Sequence, residues 1–173
     1  MLVTLFYKED TVKNKAMEKL FRLAYTDAMT GLHNRNAYEE CLEKLRSDRS
    51  VLDNITVVVI DINDLKRINK TYGHHTGDEA IKVVATMLKR TIGEKAQIYR
   101  IDGDDFICIS DKDMRSQISQ FIDFMKFENR DRYNKINVAV GSGRFDRRKH
   151  DTIDDLLKFC DTKLIKDKQR KSR

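Results

Sequence analysis

The chain has 173 residues, 40% hydrophobic and 36% charged, with seven glycines and no proline. This fits one soluble globular domain with a real core, and no Pro/Gly/Ser-rich linker divides it. Lys and Arg outnumber Asp and Glu by 34 to 28, and the surplus of +6 gathers toward the C-terminus, at Lys158 and from Lys163 to Arg173. Such a surplus suits anionic partners, including nucleotide phosphates, but it is too mild and local for nucleic-acid binding, and no basic-aromatic stacking motif accompanies it.

The opening residues Met1 to Lys8 form too short an apolar run for a signal peptide or a membrane span, so no direct membrane contact is expected of this chain. Over 11–25, Val12, Ala16, Leu20, Leu23 and Ala24 recur at helical spacing. Residues 1–24 therefore read as a linker or signalling helix, and 25–173 as the main domain. A second helix is expected over about 35–47, with Ala37, Tyr38, Cys41, Leu42 and Leu45 on its apolar side. The run at 55–61 is apolar on both faces, which predicts a central strand covered by helices.

A short helix over about 64–72 should break at Gly73, and a longer one should span about 78–92, with Ile81, Val84, Ala85 and Leu88 inward. Strands over about 97–101 and 105–110 follow. Asp102-Gly103 between them has the composition of a type I′ hairpin turn, whose central residues both need positive φ. A helix over about 113–127, a strand over about 135–141 and a helix over about 152–168 complete the chain; the last carries Ile153, Leu156, Leu157, Cys160 and Leu164 as its core stripe. This order predicts an α/β (α+β) sandwich with a central, mostly antiparallel sheet. The cysteines Cys41, Cys108 and Cys160 lie far apart without zinc spacing, which points to a reduced, cytoplasmic compartment.

Two acidic clusters, Asp61-Ile62-Asn63-Asp64 and Asp102-Gly103-Asp104-Asp105-Phe106, each follow an apolar run that reads as a strand. Carboxylates just beyond strand ends can converge on one hard cation such as Mg²⁺, which is commonly shared with substrate phosphates. A helix begins directly after Asp61, and its first backbone N–H groups, with Lys66, could cradle phosphate. Asp104, at the hairpin tip, could ligate the metal or help deprotonate a sugar hydroxyl. Asn69 and Asp78 bracket Gly73-His74-His75-Thr76-Gly77 and could read a guanine edge. Each feature also has a plain structural reading: a helix cap at Asp61 or Asp64, a solvated turn at Asp102, Asp104 and Asp105, and a turn residue and N-cap at Asn69 and Asp78.

Taken jointly, the residues resemble a known family. The stretch Tyr25-Thr26-Asp27-Ala28-Met29-Thr30-Gly31-Leu32-His33-Asn34-Arg35 resembles the D-x-L-T-G-L-x-N-R opening of the GGDEF domain. Asp61 through Asp78 resembles its D-x-D-x-F-K-x-x-N-D-x-x-G-H-x-x-G-D block. Arg100 to Phe106 stands at its signature hairpin, and Cys160-Asp161 to Lys168 resembles its closing A-D-x-A-L-Y-x-A-K helix.

The resemblance, over about 25–168, implies a fold similar to the catalytic palm of adenylyl cyclases and polymerases. It implies diguanylate cyclase activity, in which two GTP become cyclic di-GMP and two pyrophosphates across a transient homodimer, usually behind a sensor domain. Carried over, Asp61, the Ile62 carbonyl and Asp104 would hold Mg²⁺ (or Mn²⁺), and Asn69 and Asp78 would read guanine. The amides near Asp64 and Leu65, with Lys66 and Lys168, would hold the phosphates. Gly103 would lie against the substrate, and Asp104, Asp105 and Lys66 would serve the chemistry.

Several positions depart from the family pattern. The signature reads Asp-Gly-Asp-Asp-Phe, so Asp102 adds a charge where the family has glycine, and Asp105 is one methylene shorter than the usual Glu. Asn63, Leu65 and Lys70 differ in the first block, and Ser172 stands where the family has a phosphate-binding arginine. Met29 and Ile165 are milder changes. The family's product-inhibition motif R-x-x-D has Gly93 and Ala96 in its place, so feedback at that position is not expected. Two readings stay open: a diguanylate cyclase, slowed by Asp102, and a catalytically silent module that binds GTP or a partner protein.

Overall fold

The structure, a computed structural model, describes Met17, residues 19–129 and residues 135–171. Residues 19–25 are helical; the earlier part of the helix expected over 11–25, Met17 apart, lies outside the described residues. There follow α1 (Arg35–Ser47), β1 (Thr56–Ile62), α2 (Leu65–Tyr72), α3 (His74–Thr91), β2 (Gln97–Asp102), β3 (Asp105–Ser110), α4 (Arg115–Glu128), β4 (Val138–Arg144) and α5 (Ile153–Lys171). Among the described residues no helix is long and apolar enough to cross a membrane.

The sheet has the order β2-β3-β1-β4, and every neighbouring pair is antiparallel. β1 is central and buried along its whole length, as a strand apolar on both faces requires. Alternation divides its side chains between two cores. Val58, Ile60 and Ile62 pack with Val84, Leu88 and Phe121 from α3 and α4. Val57 and Val59 pack with Leu42, Leu156 and Cys160 from α1 and α5. Each fully buried side chain of this size contributes roughly 1.5–3 kcal/mol.

Local signals explain most boundaries. Asn34 caps α1 by accepting the Ala37 N–H at 3.1 Å, and burial of Tyr38, Leu42 and Leu45 follows from the helical period. Gly73, at φ 87°, separates α2 from α3. Cys108 and Cys160 are buried and Cys41 is half-buried; burial pushes the Cys108 and Cys160 thiols up to about 12, which makes them inert packing residues.

Three expectations need correction. The long helix α3 starts at His74, not near Asp78, because Gly73 alone makes the break; Gly77 sits buried inside the helix. His74 and His75 are exposed in its first turn. The hairpin turn is centred on Gly103-Asp104, with Asp102 paired to Asp105, and neither Asp102 nor Gly103 has positive φ. An irregularity between Arg100 and Asp102 shifts the register, and the Arg100 guanidinium grips the Gly103 carbonyl, so a type I′ turn is not needed.

β4, expected over 135–141, runs on to Arg144. Its start is delayed because the Asn129 side chain takes both the N–H and the carbonyl of Ile136. Its glycines do not end the strand. A Cβ on Gly141 would collide with the backbone of Cys160 and lie 2.6 Å from Leu164 N, so the missing side chain is what lets α5 lie against the sheet. α5 also covers the strand's outer edge. Val140 N–H donates to Asp167 at 3.0 Å, and Lys163 and Lys171 donate to the carbonyls of Ser142 and Val138 at 2.8 and 2.9 Å. Edge-strand groups that could pair with another chain are thereby occupied.

Candidate functional site

Asp61 near the end of β1 and Asp105 at the start of β3 are direct cross-strand partners, and Asp104 follows the hairpin tip. One carboxylate oxygen from each of Asp61, Asp104 and Asp105 lies within 4.8 Å of the others. The turn is tied to β1 by the Ile62 N–H, which donates to the Asp104 carbonyl at 3.2 Å. The Ile62 side chain is buried in the core, so only its main chain can face a ligand. Sequence reading named all three acids, and the structure brings them together.

Like charges placed directly opposite on a sheet destabilise it, and the electrostatics show the conflict. Burial, and then the Asp104 and Asp61 charges, push the Asp105 carboxyl up to about 6. Against this, Lys168 from α5 sets its Nζ 2.6 Å from Asp61 Oδ2, with the Asp61 side chain only 9% exposed. A carboxyl raised in the folded chain binds its proton more tightly there than when unfolded. The fold is therefore weakened above about pH 6 and relieved below the ordinary 3.8. Asp105→Asn should accordingly raise the melting temperature of metal-free protein at pH 7.5 and leave it unchanged at pH 3.5. An unchanged or lowered melting temperature at pH 7.5 would contradict the strained-cluster account.

Beside the cluster, Asp64 holds the N-cap position of α2 in a left-handed conformation at φ 59°, which Asp tolerates better than most residues. Its side chain makes no capping bond and instead pairs with Arg67 at 3.4 Å, so the simple cap reading does not hold. Leu65 is buried, leaving its amide as the group that can serve, while Lys66 is exposed in the first turn. Asn69, on α2, packs against Gly77, the residue before Asp78 on α3. The Asn69 amide lies so close to Gly77 that a Cβ there would fall 2.8 Å from Asn69 Cγ. Asn69 Oδ1 is buried without a hydrogen-bond partner. A buried amide oxygen left unpaired is costly and marks a group awaiting a donor.

At the tip, no atom lies within 4 Å of the place a Gly103 Cβ would take, so this backbone is open to a ligand. Asp102, the cross-strand partner of Asp105, is not one of the three gathered acids: it is exposed, accepts its neighbour Gly103 N–H at 2.9 Å and faces Arg35 at 3.9 Å. Gly93 and Ala96 line a separate cleft of about 390 Å³ with His33 and Glu94. Ser172 lies outside the described residues, and Arg170 pairs with Asp167 at 2.7 Å.

Sequence reasoning gave no role to three residues that hold the site. Arg100 is nearly buried. It donates to the Gly103 carbonyl at 3.0 and 3.2 Å and to both oxygens of Asp27 at 3.1 and 3.2 Å. Asp27 also takes the Thr30 N–H and hydroxyl at 2.9 and 2.6 Å. Burial pushes the Asp27 carboxyl upward, but the Thr30 and Arg100 donors outweigh it and hold it below the usual carboxylate range. The hairpin tip is thus braced to the segment that follows helix 19–25. Gly77, through Asn69, is the third. The signal for the brace was the Asp27-to-Gly31 motif itself; the partner of Gly77 could be found only in three dimensions.

The four-stranded antiparallel sheet flanked by helices matches the fold of solved GGDEF domains. The coiled coil and GGDEF domain of DgcB from Caulobacter crescentus, solved in complex with c-di-GMP, superposes with a TM-score of 0.76 at 23% identity, covering 96% of this chain and 92% of that one. The family model described as "Diguanylate cyclase, GGDEF domain" matches residues 24–173. The chain belongs to this family. It is 34% identical over 153 residues to the probable diguanylate cyclase DgcJ of Escherichia coli K12, covering 85% of this chain and 30% of that protein. The cyclic di-GMP phosphodiesterase PdeR of Escherichia coli K12 is 29% identical over 108 residues, 62% of this chain and 16% of PdeR. The chain thus spans less than a third of either relative.

Proposed function

We propose that this chain binds GTP with Mg²⁺ and, as a transient pair of copies, joins two GTP into cyclic di-GMP with release of two pyrophosphates. The observation that carries the reading is the meeting of Asp61, Asp104 and Asp105 beside the start of α2, in a member of this family. The donor set is three hard carboxylate oxygens, and a lysine ammonium already stands on one of them, so the residues suit a hard cation. Asp61, the Ile62 carbonyl and Asp104 would hold Mg²⁺ or Mn²⁺, which when bound would neutralise phosphate charge and polarise the reacting phosphoryl group.

The remaining roles belong to the chain's own groups. The amides of Asp64 and Leu65 and the Lys66 ammonium receive the phosphates at the start of α2, and Lys168 reaches them from α5. The ribose and α-phosphate lie along the open backbone of Gly103. Asp104 and Asp105 stand where the 3′-hydroxyl of a facing copy would arrive. The Asp105 carboxylate is the candidate acceptor of its proton. One copy holds one GTP, so ring closure needs a second copy. Residues 1–24, of which Met17 and 19–24 are described, act as the linker from a sensor, and the domain works in the cytoplasm.

Asn69 and Asp78 read guanine, with the Asn69 amide held in place against Gly77. Calorimetric titration tests this assignment. GTP should bind only with Mg²⁺, ATP at least about tenfold more weakly, and Asp78→Ala should lose GTP binding. Gly77→Ala should favour α3 by about 1 kcal/mol yet weaken GTP about tenfold by pushing the Asn69 amide aside. Equal binding of ATP and GTP, or an unaffected Gly77→Ala variant, would overturn it.

A second reading, a silent GTP-binding relay, draws on the two altered signature positions Asp102 and Asp105. The exposed Asp102 carboxylate is turned toward Arg35, and exposed pairs are worth about 0–1 kcal/mol. Asp102→Gly should therefore change turnover by less than about fivefold. A gain of tenfold or more would make Asp102 the handicap, and absence of product from both proteins, each still binding GTP, would favour the relay.

A further inference from the structure

We propose that Lys168 is the resident counter-ion of the acidic cluster, and that a divalent cation takes Asp61 only together with a polyphosphate that draws Lys168 away. The proposal rests on the GTP and metal reading above and adds a coupling between the two ligands. Asp61 is a nearly buried carboxylate directly opposite Asp105, and such a charge is retained only when paired. Among the described ion pairs Lys168 supplies the partner, 2.6 Å from Asp61 Oδ2.

That oxygen belongs to a residue assigned to the metal. An ammonium and a divalent ion a few ångströms apart repel with twice the energy of two unit charges, so the two compete for Asp61. Entry of the metal alone would leave the ammonium beside a dication. Entry with a triphosphate gives the ammonium an anion to move to.

The helix carrying Lys168 is held still while this happens. The adjacent Asp167, where the family pattern has alanine, accepts the Val140 N–H at 3.0 Å and the Lys171 Nζ at 2.5 Å. Lys171 also donates to the Val138 carbonyl at 2.9 Å. The end of α5 is thereby clamped to β4, and Lys168, 41% exposed, can exchange partners by side-chain rotation alone.

The test is Mn²⁺ binding read from the electron paramagnetic resonance signal of free Mn²⁺, with and without a non-cyclising α,β-methylene analogue of GTP, each corrected for the Mn²⁺ that the analogue binds in protein-free solution. Wild type should bind Mn²⁺ weakly alone and at least tenfold more tightly with the analogue. Lys168→Met and Lys168→Gln, checked for fold by circular dichroism, should bind Mn²⁺ alone at least tenfold more tightly than wild type and gain little from the analogue, because coupling is reciprocal. Lys168→Arg should behave as wild type. Neutral variants that bind Mn²⁺ alone no better than wild type overturn the counter-ion proposal. If the analogue still tightens Mn²⁺ on wild type in that case, the metal and GTP reading stands; if it does not, both fall.

Discussion

Asp104→Asn is expected to abolish cyclic di-GMP formation, by about three orders of magnitude or more, while the protein stays folded. Asp104 lies in a two-residue turn whose shape is set by other groups: Arg100 on the Gly103 carbonyl and the Ile62 N–H on the Asp104 carbonyl. The substitution leaves both in place and removes one charge from a cluster where burial and neighbouring carboxylates already push Asp105 up to about 6. Stability should hold or rise. Turnover should collapse, because a loss of about 4 kcal/mol of metal-borne stabilisation at the transition state is a factor of about a thousand. Turnover within tenfold of wild type, measured beside an unchanged melting curve, would remove Asp104 from the chemistry.

Gly141→Val should destabilise the protein strongly. The added Cβ would strike the Cys160 carbonyl and press on Leu164 N, both main-chain atoms of α5 that no rotamer change can move. Relief requires lifting α5 from β4, which would break the Asp167 and Lys171 contacts and carry Lys168 off Asp61. Overpacking that shifts backbone costs about 3 kcal/mol or more, a large share of a typical domain's 5–15 kcal/mol. At about 2–4 °C per kcal/mol for a chain of this size, the melting temperature should fall by roughly 10 °C. Gly143→Ala is the contrast: its Cβ would meet the side-chain ends of Leu156 and Phe159 at 2.9 Å, which can give way. Equal losses from Gly141→Ala and Gly143→Ala, compared by denaturant titration, would contradict this account.

Much of the molecule could be read from one chain because local rules and tertiary demands agree there. The run through Val57, Val58 and Val59 is apolar on both faces because both faces are covered. Asn34 stops the backward growth of α1 with its own side chain. Asp61, Asp104 and Asp105 stood out because acids that follow apolar strands are costly unless they serve a ligand.

The parts that could not be read depend on distant partners. The Asp-Gly dipeptide suggests one turn, but the Arg100 side chain and a register shift impose another. Gly141 looks like the end of a strand, yet it is the point where a helix approaches closely. Gly77 looks like part of a turn, yet it is the space that Asn69 occupies. The Lys168–Asp61 pair and the Asp167 clamp join segments far apart in the chain, and no local pattern announces either.

The central claim is tested most directly by incubating the chain at high concentration with GTP and Mg²⁺, separating nucleotides by chromatography, and using Asp104→Ala as the blank. The account predicts cyclic di-GMP and two pyrophosphates per product, with neither formed by the variant. Protein that binds GTP with Mg²⁺ yet forms no cyclic di-GMP at any concentration would contradict it and leave a domain that holds the nucleotide without turning it over.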